Sequence, residues 1–387
     1  MEEVDITASL DRVLAEDIKA GFSIPPFDRS AMDGFALISG DTRGASEAGP
    51  AVLKVAGEIK AGERKKIRVT EGRAVSIMTG ALMPSGADCV VKIEDASQEF
   101  AGAGGPAVKI FKQASPGENV AKKGEDIRKG KMVLRKGRVI DSSVLGMLAY
   151  LGREKVKVYR RPGVAVVSTG NEIKKPGERL GEGEIYDANG YLLYGQVIKA
   201  GGRPSLLGVG MDEYEKLSGL IREGLSYDVL VISGGVSVGK YDLVAEALKK
   251  SGVRMVFWNV AVKPGKPTFF GKKGRTLVFG LPGYPASAYI NFENIVKVAV
   301  SRMTGRKAPE RMKIPAILRE PLENRGGRDA FLRVNVLFKE NKNFAVPYPS
   351  QKSGVLTSVT DASGLIHLKK GARFRKGQKV IVELLEK

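Results

Sequence analysis

Three segments of the chain run from an apolar, β-branched stretch directly into a glycine- or proline-rich turn. They are Val164–Glu172, Asp228–Asp242 and Thr276–Ala288. If the three strands share one parallel sheet, all three turns open at its carboxyl edge, where doubly wound α/β folds bind ligands. Helix N-termini and bare backbone N–H groups face anions at that edge. We therefore expect a phosphate-bearing or oxyanionic small-molecule ligand there.

The pattern along the chain predicts the fold class α/β plus β. Strands and helices alternate from Val164 to Thr304, which predicts a doubly wound α/β domain. Short β-type runs between glycines and prolines predict a β-rich lobe from Pro25 to Asp126. Renewed β-type alternation after Arg306 predicts a small C-terminal β-barrel or sandwich. Elsewhere we expect one amphipathic helix from Met1 to Pro25 and another over Ser142–Gly152.

The chain has 387 residues but one cysteine, Cys89, and one histidine, His367. A disulfide within the chain is therefore excluded, and zinc, copper or iron–sulfur sites lack ligands. A Ser-His or Cys-His nucleophilic pair is disfavoured for the same reason. The composition favours catalysis by charge stabilisation and positioning, with any metal a hard cation such as Mg²⁺ held by carboxylates.

The formal net charge is +20 and the sequence pI is near 9.8. Such a field favours anionic partners, although a Lys/Glu-rich surface typical of heat-adapted proteins explains it equally well. Nucleic acid is disfavoured because the basic residues are scattered without aromatic interleaving. No apolar run approaches the ~20 residues that span a bilayer. The acidic N-terminus is unlike a signal peptide, so we expect a cytoplasmic protein without a membrane partner.

Two of the turns carry residues suited to gathering anions. Gly234 and Gly235 permit close backbone approach to a ligand. Asp242 falls in the next helical turn, where an acid ordinarily complements the helix dipole. A cation between Asp242 and a phosphate would also explain why an acid adjoins an anion niche. Lys263 and Lys266 are framed by prolines and a glycine, which makes an anion-binding pair as good an interpretation as a solvated loop.

Other polar residues carry weaker signals. Asp187 and Asn189 directly precede a helix, where N-capping is the expected role of at least one of them. In the β-rich lobe, Asp33, Thr79 and Asp126 lie among ordinary turn residues, so spacing alone gives them little weight.

Taken together, eight strings resemble one family, the molybdopterin molybdenumtransferases, which includes the carboxyl-terminal domain of gephyrin. The strings occur in the family's order from Pro25 to Ala288. No single string is specific for the family, but their combination is. The strings are PPFDRSAMDGFA, MTGALMPSGADCVV, GENVAKKGEDIRKG, VVSTGNE, YDANG, ISGGVSVGKYD, VKPGKPTFFG and LPGYPASA.

The resemblance implies an enzyme that inserts molybdate into adenylylated molybdopterin and releases AMP, assisted by Mg²⁺. It implies a homodimer whose active cleft lies between the α/β domain of one subunit and the β-rich lobe of the other, with a molybdopterin adenylyltransferase as a further candidate partner. It also implies four domains per chain. These are a discontinuous linker domain over 1–25 and 128–162, the β-rich lobe over 26–127, the α/β domain over 163–306 and the C-terminal barrel over 307–387.

Site residues are implied where the strings match the family. Glu172 and Asp242 would bind the metal. The residues implied in catalysis are Asp33, Asp126, Glu172, Asp242, Lys263 and Lys266. Those implied in binding the pterin substrate are Thr79, Ser168, Thr169, Gly170, Asp187, Asn189, Asp212, Ser233, Gly234, Gly235, Ser237, Gly239, Pro282, Gly283, Pro285 and Ser287.

The chain departs from the family pattern at the LPGYP turn, where Tyr284 stands in place of the usual Asn. Tungstate is therefore an alternative to molybdate, since the two anions are nearly equal in size and charge. Two other functions stay open. One is the preceding adenylyl transfer to molybdopterin, and the other is a non-catalytic scaffold for anionic partners.

Overall fold

The computed structural model describes residues 1–100, 105–210, 213–236, 243–306 and 311–385, with the side chains of 99 and 100 left aside. The chain forms two compact units. The first comprises 1–16, 136–146 and 154–387, and the second comprises 17–135 and 147–153.

The first unit contains a six-stranded sheet whose central strands confirm the predicted parallel arrangement. Gly163–Thr169 pairs in parallel with Val229–Ser233, which pairs in parallel with Thr276–Leu281. All three glycine- or proline-rich turns therefore leave the same edge. The spatial order is Arg203–Gly210, Gly163–Thr169, Val229–Ser233, Thr276–Leu281, Phe269–Lys273 and Arg254–Trp258. Phe269–Lys273 runs opposite to the other five strands, which are parallel to one another.

Alternate residues of the central strands enter different cores, because successive side chains of a strand point to opposite faces. Val164 and Val166 pack in one buried cluster, whereas Ala165 and Val167 pack in the other. Helices cover both faces, so the domain is doubly wound as predicted. The helices are Ala188–Lys199, Tyr214–Gly224, Leu243–Lys250, Pro285–Asn291 and Lys297–Met303, and the π-helical turn Phe292–Val296 joins the last two.

The C-terminal part of the first unit is a closed five-stranded barrel, which confirms the barrel prediction over the sandwich. The closure follows from the pairing of Asp329–Lys339 with both Lys342–Pro347 and Gly364–Leu368. Val262–Lys263 adds to this barrel by pairing in parallel with Asp329–Ala330. The remaining barrel strands are Lys313–Leu318 and Lys379–Leu384, accompanied by the short pair Leu322–Glu323 and Arg373–Phe374 and the helix Thr357–Thr360.

The prediction of one amphipathic helix from Met1 to Pro25 is wrong. Glu2–Asp5 is a strand that pairs antiparallel with Lys155–Val158, and a 3-10 turn follows over Ile6–Ala8. Asp11 adopts a left-handed φ of 61°, which interrupts any helix. Val13 and Leu14 reach burial through bridges to Val139 and Val158. Pairing with a distant segment therefore overrides the helical periodicity.

The second unit is rich in β-structure, as expected for the lobe. Its six-stranded sheet has the order Cys89–Lys92, Gly34–Leu37, Arg73–Ile77, Ala51–Ile59, Pro106–Ile110 and Ala96–Phe100. Two short pairs join Arg29–Ser30 to Val120–Ala121 and Ile18–Lys19 to Met132–Leu134. The predicted helix after this region is confirmed at Ser142–Tyr150. Within the described ranges, no helix has the length and apolar character needed to cross a membrane.

A buried ion network joins the α/β domain to the barrel. Glu293, on the π-helical turn, lies 3.2 Å from Lys297 Nζ and 3.7 Å from Arg311 Nη2. Arg311 also lies 2.9 Å from Glu383 of the last barrel strand. Glu293, Lys297 and Arg311 expose about a tenth of their side chains or less. Removing one partner from such a network leaves uncompensated buried charge, which typically costs about 3–5 kcal/mol.

We expect Glu293→Ala to lower the free energy of unfolding by roughly 3 kcal/mol, because Lys297 and Arg311 would lose their shared carboxylate. The matched control is Glu246→Ala. Glu246 also pairs with a lysine four residues later, at 2.8 Å, but both side chains are more than half exposed. Its loss should cost no more than about 0.5 kcal/mol. Urea unfolding of both variants measures the difference, and equal losses would contradict the network's role.

Candidate functional site

The turn Ser233–Val236, called here the diglycine turn, can be built only from glycine at its centre. Gly234 and Gly235 have φ values of +92° and +62°. A Cβ on Gly234 would lie 2.6 Å from Thr169 O, and one on Gly235 would lie 2.5 Å from a Val244 methyl carbon. Thr169 Oγ1 donates to Ser233 O at 3.3 Å. The end of the first strand is thereby held directly against this turn.

Asn189 ties the LPGYP turn, Leu281–Pro285, to the diglycine turn. Its Nδ2 group donates to Ser233 Oγ and to Gly283 O, both at 2.8 Å. The backbone N–H of Gly234 also donates to Leu281 O at 3.0 Å. The Oδ1 atom of Asn189 is buried and has no hydrogen-bond partner in the described part of the chain. A buried acceptor without a hydrogen bond is costly, so the tie between the two turns leaves part of the Asn189 amide unsatisfied.

Asp187 serves as the N-cap that its position predicts. Its carboxylate accepts from the Gly190 backbone N–H and from Ser168 Oγ, both at 2.8 Å. The polar atoms of Asp187 and Ser168 thus satisfy each other and the helix start. Glu172 differs, because its exposed carboxylate has no hydrogen bond or ion pair within the described ranges and folds back over Gly170.

The Lys263 loop, Lys263–Pro267, is fastened from behind by Asn291 of the helix Pro285–Asn291. Asn291 is fully buried, and its Nδ2 donates to Gly265 O at 2.7 Å and to Thr268 Oγ1 at 2.5 Å. Gly265 has a φ of +97°, and a Cβ there would lie 2.2 Å from Asn291 Nδ2. Lys263 and Lys266 are exposed. The loop is therefore rigid at its glycine while both lysines face solvent.

The Lys263 loop, the LPGYP turn and the barrel surround a cleft of about 860 Å³. Four of the lining side chains are cationic, namely Lys263, Lys266, Arg328 and Lys352, and none of the described residues that line it is acidic. The remaining lining residues are Pro264, Gly265, Pro267, Pro282, Tyr284, Ser287, Gln351, Ser353, Gly354 and Val355. A water-filled cleft with charge of one sign concentrates ions of the other sign. This geometry suits an oxyanion.

Sequence reasoning missed the contribution of the barrel to this cleft. Arg328 Nη1 donates to Val262 O at 3.2 Å and so supports the Lys263 loop. Arg333 is fully buried behind the loop Ser350–Val355, and its Nη2 donates to Lys352 O at 3.1 Å. Burial lowers the pKa of Arg333 to about 10. The sequence did carry one signal for Arg333, because this arginine stands inside the apolar strand sequence FLRVNV.

The structure brings two of the three lobe residues into contact. Asp33 accepts hydrogen bonds from the Thr79 backbone N–H at 2.7 Å and from Thr79 Oγ1 at 2.9 Å. Both hydrogen bonds lower the pKa of the Asp33 carboxyl, and the bond from the Thr79 backbone contributes more than the bond from its side chain. Asp126 makes no hydrogen bond or ion pair with either of them in the described part of the chain, and it lines a cleft of about 480 Å³ with Glu125, Arg128, Lys129 and Lys131.

Four predicted site residues, Asp212, Ser237, Gly239 and Asp242, lie outside the described residues. Within the described ranges no group of three or more His, Cys, Asp or Glu side chains could hold a metal. Of the two predicted metal ligands, Glu172 lies among the described residues and Asp242 lies outside them.

Family models match almost the whole chain. "MoeA N-terminal region (domain I and II)" covers residues 1–152, "Probable molybdopterin binding domain" covers 165–302, and "MoeA C-terminal region (domain IV)" covers 315–385. The molybdopterin molybdenumtransferase of Bacillus subtilis (strain 168) is 36% identical over 386 residues, spanning 99% of this chain and 90% of that protein. The chain belongs to the MoeA family.

Solved structures agree with this assignment. A MoeA molybdopterin biosynthesis protein of Pyrococcus horikoshii shares 39% identity with a TM-score of 0.85, covering all of this chain and 94% of the other. A second MoeA crystal structure from the same species shares 31% identity with a TM-score of 0.79, covering 99% and 94%. Family membership and the multidomain fold inferred from the eight strings are thereby confirmed.

Asp329 pairs with Val262 at the start of a barrel strand, next to Arg328 of the cleft, and its ion pairs predict how stability depends on pH. Its carboxylate lies 2.9 Å from Lys369 Nζ and from His367 Nε2, and it accepts from the Lys370 N–H. These contacts lower the Asp329 pKa to about 2. The hydrogen bond from the Lys369 side chain contributes most, followed by the one from the Lys370 backbone N–H. A lowered folded-state pKa stabilises the protein above the unfolded pKa of about 3.9. That stabilisation is lost as pH falls towards 2.

We therefore expect the difference in unfolding temperature between wild type and Asp329→Asn to shrink from about pH 4 downwards. Thermal unfolding followed by circular dichroism across pH 3 to 7 gives the curve. A difference that grows between pH 4 and pH 3 would show that the Asp329 contacts do not stabilise the charged carboxylate.

Proposed function

We propose that this MoeA family member inserts molybdate, or tungstate, into adenylylated molybdopterin with release of AMP. The observation that carries this proposal is the cleft beside the LPGYP turn, to which the described part of the chain contributes four cationic side chains. A tetrahedral dianion and a phosphate-bearing pterin are both negatively charged, so one site must attract both. Backbone N–H groups and lysines supply that attraction through charge and hydrogen bonds, and no residue has to act as a general acid.

Each part of the edge has a role in this proposal. Lys263 and Lys266 hold the oxyanion, and their spacing is kept by Asn291 behind Gly265. The diglycine turn offers bare backbone to the pterin phosphate. The dithiolene sulfurs of the pterin bind the metal, which explains why a chain with one cysteine and one histidine suffices.

Glu172 fits a Mg²⁺ ligand, because its free, exposed carboxylate lies beside the strand end at Gly170 and hard cations prefer carboxylate oxygens. Asp242 would be its companion. When bound, the cation neutralises charge on the phosphate oxygens and so makes AMP a better leaving group. The residues of the chain bind and orient the two substrates.

We further propose the homodimer and the four-domain division implied by the family resemblance. Helix Ala188–Lys199 carries an exposed apolar stripe of Tyr191, Tyr194 and Ile198, which suits coverage by a second copy. Asp33, Thr79 and Asp126 would then act at the partner's edge. A molybdopterin adenylyltransferase must supply the substrate.

The test is AMP release from adenylylated molybdopterin with molybdate, with tungstate and without an oxyanion. We expect release only with an oxyanion, and Lys266→Met should raise the KM for it at least about tenfold, because it removes a charged hydrogen-bond donor. Lys249→Met, an exposed lysine on helix Leu243–Lys250, is the matched control. Asp242→Ala should abolish release while leaving the fold intact.

Three outcomes would contradict the proposal. They are ATP consumption with non-adenylylated pterin, unchanged turnover in Asp242→Ala, and salt-sensitive duplex binding that survives the same substitution.

Tyr284 at the mouth of the cleft should contact the substrate. It is 64% exposed, and its ring packs against Gly354, where a Cβ would lie 3.4 Å from the ring. We expect Tyr284→Asn to raise the KM for adenylylated molybdopterin several-fold through lost ring stacking, and Tyr284→Phe to retain the wild-type value. The KM for molybdate should not change in either variant. Equal KM values for the pterin in all three proteins would exclude stacking.

A further inference from the structure

Exposed apolar side chains surround the Asp33–Thr79 pair of the second unit. Met32 directly precedes Asp33, and Met78 directly precedes Thr79. The backbone N–H of Ile93 donates to Asp33 O at 3.1 Å. Met32, Met78 and Ile93, called here the apolar rim, are 40%, 41% and 56% exposed. Large apolar side chains that are exposed together usually mark a binding surface.

Three strand ends bring these residues together. Asp33 directly precedes the strand Gly34–Leu37, and the two antiparallel neighbours of that strand end directly before Met78 and Ile93. The carboxylate therefore lies between two members of the apolar rim. A Cβ on Gly34 would lie 1.9 Å from a main-chain oxygen of one neighbouring strand, so only glycine allows the strands to approach this closely.

The Asp33 carboxylate keeps one oxygen available. Its Oδ1 accepts from the Thr79 backbone N–H at 2.7 Å and from Thr79 Oγ1 at 2.9 Å. Within the described ranges, Oδ2 accepts no hydrogen bond and Asp33 forms no ion pair. The backbone bond, and then the hydroxyl bond, lower the pKa of Asp33, so the carboxyl is ionised at neutral pH. An ionised carboxylate only accepts hydrogen bonds, and Oδ2 has two lone-pair sites for them.

An ionised acceptor inside an apolar rim favours one part of the substrates over the others. It repels phosphates and metal oxyanions, because they are negatively charged. Adenine presents a ring nitrogen acceptor beside its amino group, so its edge pairs poorly with a group that only accepts. The pyrimidinone edge of a pterin presents a ring N–H beside the 2-amino group, and both donate. Methionine thioethers also make favourable contacts with aromatic rings.

We propose that Asp33 accepts hydrogen bonds from the 2-amino group and the adjacent ring N–H of the pterin, while Met32, Met78 and Ile93 pack against the ring. This inference rests on the proposed function, in which the lobe of one copy faces the substrate at the sheet edge of a second copy. The two substrates are then recognised by different chemistry. The cationic cleft binds the oxyanion, and Asp33 selects the uncharged pterin ring.

The first test compares 6-hydroxymethylpterin with 6-hydroxymethyllumazine, in which an oxo group replaces the 2-amino group. Equilibrium dialysis against the full-length protein measures both dissociation constants. We expect the pterin to bind at least about tenfold more tightly, because the lumazine loses a hydrogen bond to a charged group. Asp33→Asn should abolish this preference. Glu47→Gln, which changes another exposed acid of the second unit, should keep it.

The second test addresses the apolar rim. Met78→Gln should weaken the binding of both heterocycles by about fivefold, because roughly half a side chain of apolar contact with the ring is lost. Met78→Leu should retain the wild-type affinity. The matched control is Val52→Gln, since Val52 is 61% exposed on the strand Ala51–Ile59 and lies outside the apolar rim. Thermal unfolding of each variant checks that it is folded.

Turnover separates this inference from the proposed function. Asp33→Asn should raise the KM for adenylylated molybdopterin and leave the KM for molybdate and the Mg²⁺ requirement unchanged. Wild-type protein that releases no AMP with either oxyanion would overturn the proposed function. Equal binding of the two heterocycles, or no binding of either, would overturn the present proposal alone. So would tighter binding of guanosine, which shares the same edge, a raised Mg²⁺ requirement in Asp33→Asn, or a changed oligomeric state in Met78→Gln.

Discussion

The close contact between backbones at the carboxyl edge of the sheet is the constraint on which the candidate site depends. Gly234 can lie against Thr169 only because it has no side chain, and Gly283 lies beside it. Asn189 then joins the two turns through hydrogen bonds to Ser233 and Gly283. Three turns far apart in sequence thereby meet at one edge of the sheet and are held together by these hydrogen bonds.

The barrel is coupled to this surface by three independent contacts. Val262–Lys263 pairs with the first residues of a barrel strand, Arg328 supports the same segment, and the Ala286 N–H donates to Ser353 O at 3.0 Å. The buried network around Glu293 adds a fourth connection on the far side of helix Pro285–Asn291. The positions of the four cations therefore depend on packing between domains rather than on any one loop.

Much of this arrangement could be predicted from the sequence, because it arises from local patterns. Unbroken apolar runs specified buried parallel strands, and paired glycines specified the turns. Asp187 followed the ordinary capping rule. The N-terminal segment could not be predicted in this way, since Val13 and Leu14 become buried against residues more than a hundred positions later. Arg328 and Arg333 were missed for the same reason, because only the tertiary fold brings the barrel to the Lys263 loop.

The parallel pairing between Val262–Lys263 and Asp329–Ala330 bears on how far the chain can be divided. An α/β fragment ending near residue 306 would leave the main-chain groups of this segment without partners. It would also lose Arg328 and Lys352, half of the positive charge of the cleft. The cationic cleft is thus formed by the α/β domain and the barrel together, and neither domain alone contains it.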